Sequence, residues 1–212
     1  DLTLIVDSYF TDTDLEMRMI VADAFNSRGS AHWNNDDYDA AITDFTIIVD
    51  SYSADTDQEM RAIVVTALSK RGRIYGSNDD HDAAIADFTT VVDSYSTDTY
   101  QEIRLLVAEV IDFRSVEHYS LGDSEAQLAD LTLLVDSYSA DTHQEMREMV
   151  AGSLMMRGSA HWNNDDYDDA IADLTTVVDS YSTDTWQDTR LWVARALDFR
   201  SMARVSQGDS ES

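Results

Sequence analysis

The 212-residue chain contains no cysteine and no proline. Without thiols there is no disulfide framework to staple a fold, and no residue that reports on redox compartment. Positive charge is scarce: 14 Lys and Arg stand against 42 Asp and Glu, a net charge of -28, and Lys70 is the only lysine. Phosphate binding needs clustered Lys and Arg, so neither nucleic acid nor an anionic membrane is expected as a partner, whereas a cationic partner or divalent ions fit. No stretch approaches the roughly 18 apolar residues of a membrane span, so membrane insertion is not expected. No leader-peptide pattern is read in the sequence. The chain opens at Asp1 without an initiator Met, which implies a processed product or a segment of a longer one and is compatible with a removed export signal. Signatures of catalysis are wanting as well: there is no Ser/His/Asp arrangement, Gly-rich phosphate loop or His-Glu-x-x-His, so no enzyme activity is expected. An Asp-dominated, lysine-poor surface suits proteins exposed outside cells or adapted to high salt, and equally serves plain solubility. An extracellular or cell-surface location is therefore favoured over a cytoplasmic one. No Asn-x-Ser/Thr acceptor exists for N-glycosylation, while the recurring Ser-Tyr-Ser linkers offer hydroxyls for O-glycosylation of an exported chain.

What is present is repetition. Val6-Asp7-Ser8-Tyr9 returns as Val49-Asp50-Ser51-Tyr52, Val92-Asp93-Ser94-Tyr95, Val135-Asp136-Ser137-Tyr138 and Val178-Asp179-Ser180-Tyr181, at a constant step of 43 residues. A fixed period of that size marks stacked repeats that touch mainly their neighbours. The reading is one solenoid over 1–212, with copies at 1–43, 44–86, 87–129, 130–172 and 173–212.

Within a copy, Thr13 and Glu16 stand in the spacing of a capping box, as do Thr56/Glu59, Thr99/Glu102 and Thr142/Glu145, with Thr185/Asp188 a weaker fifth. Each is predicted to open a helix. Met17, Ile20, Val21, Ala24 and Phe25 then recur at three- and four-residue steps, the stripe of an amphipathic helix running to about Trp33. The polar turn Asn34-Asn35-Asp36-Asp37 leads into a second helix, with Tyr38, Ala41, Ile42, Phe45, Ile48 and Val49 on its apolar face and its end near Tyr52. Two helices per period with short turns make an all-α array of hairpins.

The segment from Arg28-Gly29-Ser30-Ala31 through Asp37-Tyr38-Asp39-Ala40-Ala41-Ile42 to Asp44-Phe45 resembles the tetratricopeptide repeat. Gly29, Ala41 and Phe45 match the family's small and aromatic packing positions, and the match recurs with Gly72, Ala84 and Phe88, then Gly158, Ala170 and Leu174. The resemblance implies an α-hairpin solenoid coiled as a right-handed superhelix. This chain departs from the pattern in its period, 43 residues rather than the usual 34, which is similar to an extended subgroup of bacterial repeat proteins. The proline that commonly ends the repeat is absent.

Two arginine ladders stand out: Arg18, Arg61, Arg104, Arg147 and Arg190, and Arg28, Arg71, Arg114, Arg157 and Arg200. A groove clamping carboxylates or phosphates is one reading. The favoured one pairs each Arg with recurring acids such as Asp7, Asp50 or Asp44, stitching one repeat to the next. The Asp-rich turns could hold Ca²⁺ weakly through oxygen ligands, but they lack the spacing and the glycine of an EF-hand loop, so solvated turns and caps are favoured and no cofactor is expected. His32-Trp33 and His161-Trp162 read as packing features. Tyr100, Trp186 and Trp192 break the repeat consensus and are candidate partner contacts.

The register of both termini suggests assembly. Asp1-Leu2-Thr3-Leu4-Ile5-Val6 aligns with Asp130-Leu131-Thr132-Leu133-Leu134-Val135, the latter part of a second helix, while the last helix is a first helix followed by a polar tail. These half-hairpins are complementary. The expectation is a structural, self-assembling protein in which the last helix of one copy stacks on the first of the next to give a filament, through Leu2, Leu4, Ile5 and Tyr9 on one side and Trp192, Leu197, Phe199 and Met202 on the other. The alternative is an adaptor that binds a peptide or another protein on its concave face.

Overall fold

The computed structural model describes residues 2–10 and 13–208. Among the described residues there are ten helices and no strand: α1 (Leu2–Tyr9), α2 (Leu15–Asn34), α3 (Tyr38–Tyr52), α4 (Gln58–Ser77), α5 (His81–Tyr95), α6 (Gln101–Ser120), α7 (Ser124–Tyr138), α8 (Gln144–Asn163), α9 (Tyr167–Tyr181) and α10 (Gln187–Gln207). The chain is an all-α repeat of helical hairpins, about 82% helical. First helices α2, α4, α6 and α8 run 20 residues and second helices α3, α5, α7 and α9 run 15.

The helices gather into two compact units, residues 1–117 and 118–212. In the first unit α2 packs on α1, α3 and α4, and α4 also packs on α3 and α5. In the second, α8 packs on α7, α9 and α10, and α9 packs on α10. Thus α2, α4 and α8 each lie between two second helices, with α2 beside α4 and α8 beside α10. No helix is long and apolar enough to cross a membrane.

The stripes read from the sequence form the cores. Val21, Phe25, Phe45, Ile48, Val64, Val65, Phe88 and Val91 are buried in the first unit, and Leu134, Val150, Leu154, Leu174 and Val177 in the second. Each such aromatic or branched side chain contributes about 1.5–3 kcal/mol by leaving water. Glycine sets how closely the two helices of a hairpin approach. A Cβ on Gly72 would fall 2.5 Å from Phe88 Cε1, one on Gly29 3.0 Å from Phe45 Cε1, and one on Gly158 3.1 Å from Leu174 Cγ.

The helix starts differ from the predicted capping boxes. Asp14 and Asp57, one residue after the threonines, are the caps: the Asp14 carboxylate accepts from the Glu16 and Met17 N–H groups at 3.1 and 3.3 Å, and that of Asp57 from Glu59 and Met60 at 2.9 and 3.2 Å. A carboxylate caps the positive end of a helix with its full charge, which a threonine hydroxyl cannot do. His143 and Trp186 hold this position in α8 and α10, with no side-chain cap. In the Asp-rich turns, Asp37, Asp80 and Asp123 accept from the N–H of Ala40, Ala83 and Ala126 to start the second helices. The residue before each cap adopts left-handed φ: 59° at Asp36, 61° at Asp79, 63° at Asp165, and 73° where Gly122 takes the role. Asp tolerates that region better than most residues with a Cβ.

Candidate functional site

Ten arginines at fixed repeat positions carry most of the positive charge of the chain, and the geometry shows what they hold. Arg28 places Nε and Nη2 at 2.9 and 2.7 Å from the two oxygens of Asp44. Arg71 meets Asp87 the same way at 2.8 and 2.7 Å, and Arg157 meets Asp173 at 2.8 and 2.7 Å. These aspartates, on the second helix of the same hairpin, are only 3, 7 and 7% exposed. The remaining nitrogen reaches backwards: Nη1 donates to Thr46 from Arg71, Thr89 from Arg114, Thr132 from Arg157 and Thr175 from Arg200, at 2.8, 3.1, 3.3 and 3.3 Å. Arg71 and Arg157 thus each join three consecutive helices with the planar, bidentate fork that lysine lacks. The bonds to Asp87 and Asp173 raise the pKa of Arg71 and Arg157, outweighing the burial that lowers it.

The other ladder closes the linkers. Arg18 pairs with Asp55, Arg61 with Asp98 at 3.0 Å, and Arg147 with Asp184 at 2.9 Å. Asp55 and Asp98 also accept from the N–H of Asp57 and Tyr100 at 2.9 Å. The Asp57 N–H and the Arg18 charge hold the Asp55 carboxyl below its usual range, although burial opposes them. The arginines cover the tyrosines of the recurring Val-Asp-Ser-Tyr segment as well: the Arg18 guanidinium is 5.6 Å from the Tyr52 ring centre and that of Arg147 4.8 Å from Tyr181. Burial raises the Tyr52 and Tyr181 phenols, and the same arginines pull them back.

Trp33 and Trp162 pack against neighbouring side chains, and His32 meets an acid of its own turn. His32 Nδ1 lies 3.2 Å from an Asp37 oxygen. The Arg73 guanidinium stands 5.0 Å from the Trp33 ring and 4.8 Å from that of Phe113, joining α2, α4 and α6. Trp162 meets Phe199 edge-on at 5.7 Å and donates to the Ser206 hydroxyl at 3.4 Å. In the Asp-rich turns, Asp36 and Asp165 accept from the Tyr38 and Tyr167 hydroxyls at 3.1 and 2.6 Å. Among the described residues no three His, Asp or Glu side chains converge as metal ligands.

Within the first unit, the first helices line a groove of about 380 Å³ that includes Met19, Asp23, Glu59, Ile63, Tyr100 and Glu102. Burial raises the carboxyl of Asp23, and the charge of Glu102 raises the Tyr100 phenol. Lys70, on α4, donates from Nζ to Asn26 Oδ1 and Ser30 Oγ at 2.9 Å each and lies 5.8 Å from the Phe45 ring. Burial, then the charge of Arg73, lowers its pKa.

Among the described residues, α1 and α10 both expose apolar side chains. On α1, Leu2, Leu4 and Tyr9 are exposed and Ile5 half-buried; on α10, Leu197 and Met202 are exposed and Phe199 half-buried. Trp192 is half-buried: a Cβ on Gly152 would stand 3.4 Å from Trp192 Cζ2, and Arg195 lies 5.2 Å from its ring. Trp186 is the half-buried residue that starts α10. Tyr100 is thus the one candidate partner contact placed in the groove. Its neighbours there gave no sign of a groove in the sequence: Glu59 and Glu102 read as capping-box acids, and Asp23 and Ile63 as ordinary helical positions. The acids that receive Arg18, Arg61 and Arg147 also escaped the pattern, being in linkers rather than on a helical face.

Profiles of the tetratricopeptide repeat match residues 26–99 and 151–184, together about half of the chain. No curated protein matches the sequence. With glycine-spaced hairpins in both units and these two matches, the chain belongs to the tetratricopeptide repeat family, whose members are generally non-enzymatic scaffolds for protein–protein interaction.

Proposed function

We propose that this scaffold self-assembles, with α1 of one copy seated on α10 of another, into a head-to-tail filament. The observation that carries this reading is the uncovered face of α10. Ala194, Leu197 and Ser201 are exposed there. Their counterparts in α2 (Ala22, Phe25, Gly29), α4 (Val65, Leu68, Gly72) and α8 (Ala151, Leu154, Gly158) are all buried. On α1, Leu2 is 36% exposed, whereas Phe45, Phe88, Leu131 and Leu174 at the same repeat position are at most 1% exposed. Each face offers the side chains that the other face would cover in a continuous stack, and a heterologous contact of this kind does not close on itself. Sedimentation velocity should show size growing with concentration, and removal of residues 187–212 should abolish the growth while circular dichroism keeps the helical signal. A monodisperse monomer at high concentration, or fibres that persist after the truncation, would refute it.

The groove of the first unit favours a second reading, an adaptor that binds another protein. Its lining combines half-buried Met19 and Ile63 with exposed Asp23, Glu59 and Glu102, which suits a segment carrying Arg or Lys. Calorimetric titration with an Arg-rich peptide tests it: saturable binding that Ile63→Asp abolishes supports the adaptor, and equal heats from the two proteins count against it.

A further inference from the structure

Ten of the fourteen basic residues stand on the two arginine ladders. Lys70 and Arg73, three residues apart on α4 in the first unit, do not. Their counterparts in the other copies are Ser27, Phe113, Met156 and Phe199 for Lys70, and Ser30, Val116, Ser159 and Met202 for Arg73. Among the described residues no carboxylate forms an ion pair with either. Lys70 Nζ instead donates to two neutral oxygens, Asn26 Oδ1 and Ser30 Oγ, at 2.9 Å each, and stands 5.8 Å from the centre of the Phe45 ring. The Ser30 hydroxyl spends its own proton on the Asn26 carbonyl at 2.7 Å, so it meets Lys70 as an acceptor. Two acceptors match the two N–H bonds of a neutral amine and leave its lone pair free, whereas an ammonium carries a third N–H that no acceptor among the described residues receives. Burial and the nearby charge of Arg73 also disfavour the ammonium, and these are the two devices that make a lysine nucleophilic at neutral pH.

The groove of the first unit adjoins this amine: its lining includes Asn26 and, one turn before Lys70 on α4, Thr66. We infer that Lys70 is a nucleophile that captures small uncharged aldehydes from this groove as imines. The Nζ lone pair bonds to the carbonyl carbon while the C=O π pair moves to oxygen, which receives one nitrogen proton through water. The hydroxyl so formed then leaves as water, taking the second nitrogen proton, and a C=N bond remains. No oxidant or reductant is consumed. Asp23, Glu59 and Glu102 along the groove repel anionic carbonyl compounds, and with them acyl donors that carry phosphate. A small neutral aldehyde meets no such barrier. Neither a filament nor a docked peptide is needed for the capture.

Because Lys70 is the only lysine, peptide mapping after reductive trapping reads this amine by itself. Propanal with cyanoborohydride at pH 7 should modify Lys70 roughly 3- to 10-fold faster in the folded full chain than in the same chain unfolded in guanidinium chloride, where the amine titrates as an ordinary lysine. An acetyl-lysine peptide, run in both solvents, corrects for the denaturant. Burial without activation predicts the opposite order. Glyoxylate, an anionic aldehyde, should show a smaller advantage for the folded chain. Asn26→Asp places at the amine the residue carried by the equivalent positions Asp112 and Asp198. Its carboxylate should hold the ammonium and erase the advantage, with the helical circular dichroism of the wild type. A folded chain that reacts no faster than the unfolded one, an equal advantage with glyoxylate, or a folded Asn26→Asp variant as fast as the wild type would each overturn the inference.

Discussion

Asp87→Ala isolates what one rung of the ladder of Arg28, Arg71 and Arg157 contributes. It removes a carboxylate whose side chain is 10% exposed and strands an Arg71 side chain that is 14% exposed, leaving the guanidinium with Thr46 alone among its hydrogen-bond acceptors. Breaking a buried pair from one side costs about 3–5 kcal/mol. Since the Arg71 head retains some access to water, the lower end applies, about 3 kcal/mol. With a urea dependence of roughly 2 kcal/mol per M, the midpoint should fall by about 1.5 M. The decisive companion is the double variant Arg71→Met with Asp87→Leu, which removes both charges, leaves nothing buried unpaired and should recover most of the loss. A cost for Asp87→Ala under about 0.5 kcal/mol would put the rung in the class of surface ion pairs and refute the argument that the ladder holds the hairpins together.

Two further perturbations probe packing and charge. Gly72→Ala brings a Cβ to 2.5 Å from Phe88 Cε1. Overpacking of about 1–3 kcal/mol should outweigh the ~1 kcal/mol that alanine gains over glycine in a helix, so thermal unfolding should come earlier, and adding Phe88→Leu, the arrangement of Gly158 with Leu174, should relieve it. Burial, then Glu109, raises the Asp112 carboxyl, so the unfolded chain loses this proton first as pH rises. The charge therefore costs stability above about pH 4 and nothing well below it. Asp112→Asn, which places there the residue found at the equivalent Asn26, should raise the urea midpoint at neutral pH with the gain vanishing near pH 3; an equal gain at both pH values would show that the charge is not the cause.

Much of the fold could be read in the sequence because a 43-residue period repeats each local signal. The stripe of Val21, Ala24 and Phe25 and that of Ala41, Phe45 and Ile48 predicted the helix pairs, and the Gly29, Gly72 and Gly158 positions predicted their close approach. The helix starts were misread by one residue because Thr13-x-x-Glu16 fits a capping box on spacing alone, while Asp14 competes for the same N–H groups with a charged acceptor. Among the acids proposed for the ladders, Asp44 does receive Arg28. Asp55 was not among them, since the direction of a linker side chain follows from the turn and not from helical periodicity. The groove was legible only at Tyr100, where the repeat breaks. Its other lining residues come together from separate helices, a juxtaposition that no spacing along one helix encodes.

The ladder that includes Arg71 also bears on how the first unit answers force. The Arg71 guanidinium clasps α3 and α5 to α4, so the α4–α5 hairpin cannot peel from α3 without opening the Arg71–Thr46 bond, whose two halves lie 25 residues apart in the chain. So short a tether keeps the halves near one another after they part, and reclosing costs little loop entropy. Fastened in this way, the first unit is expected to give way one hairpin at a time under tension and to close again when released, like a zip with a spring in every tooth.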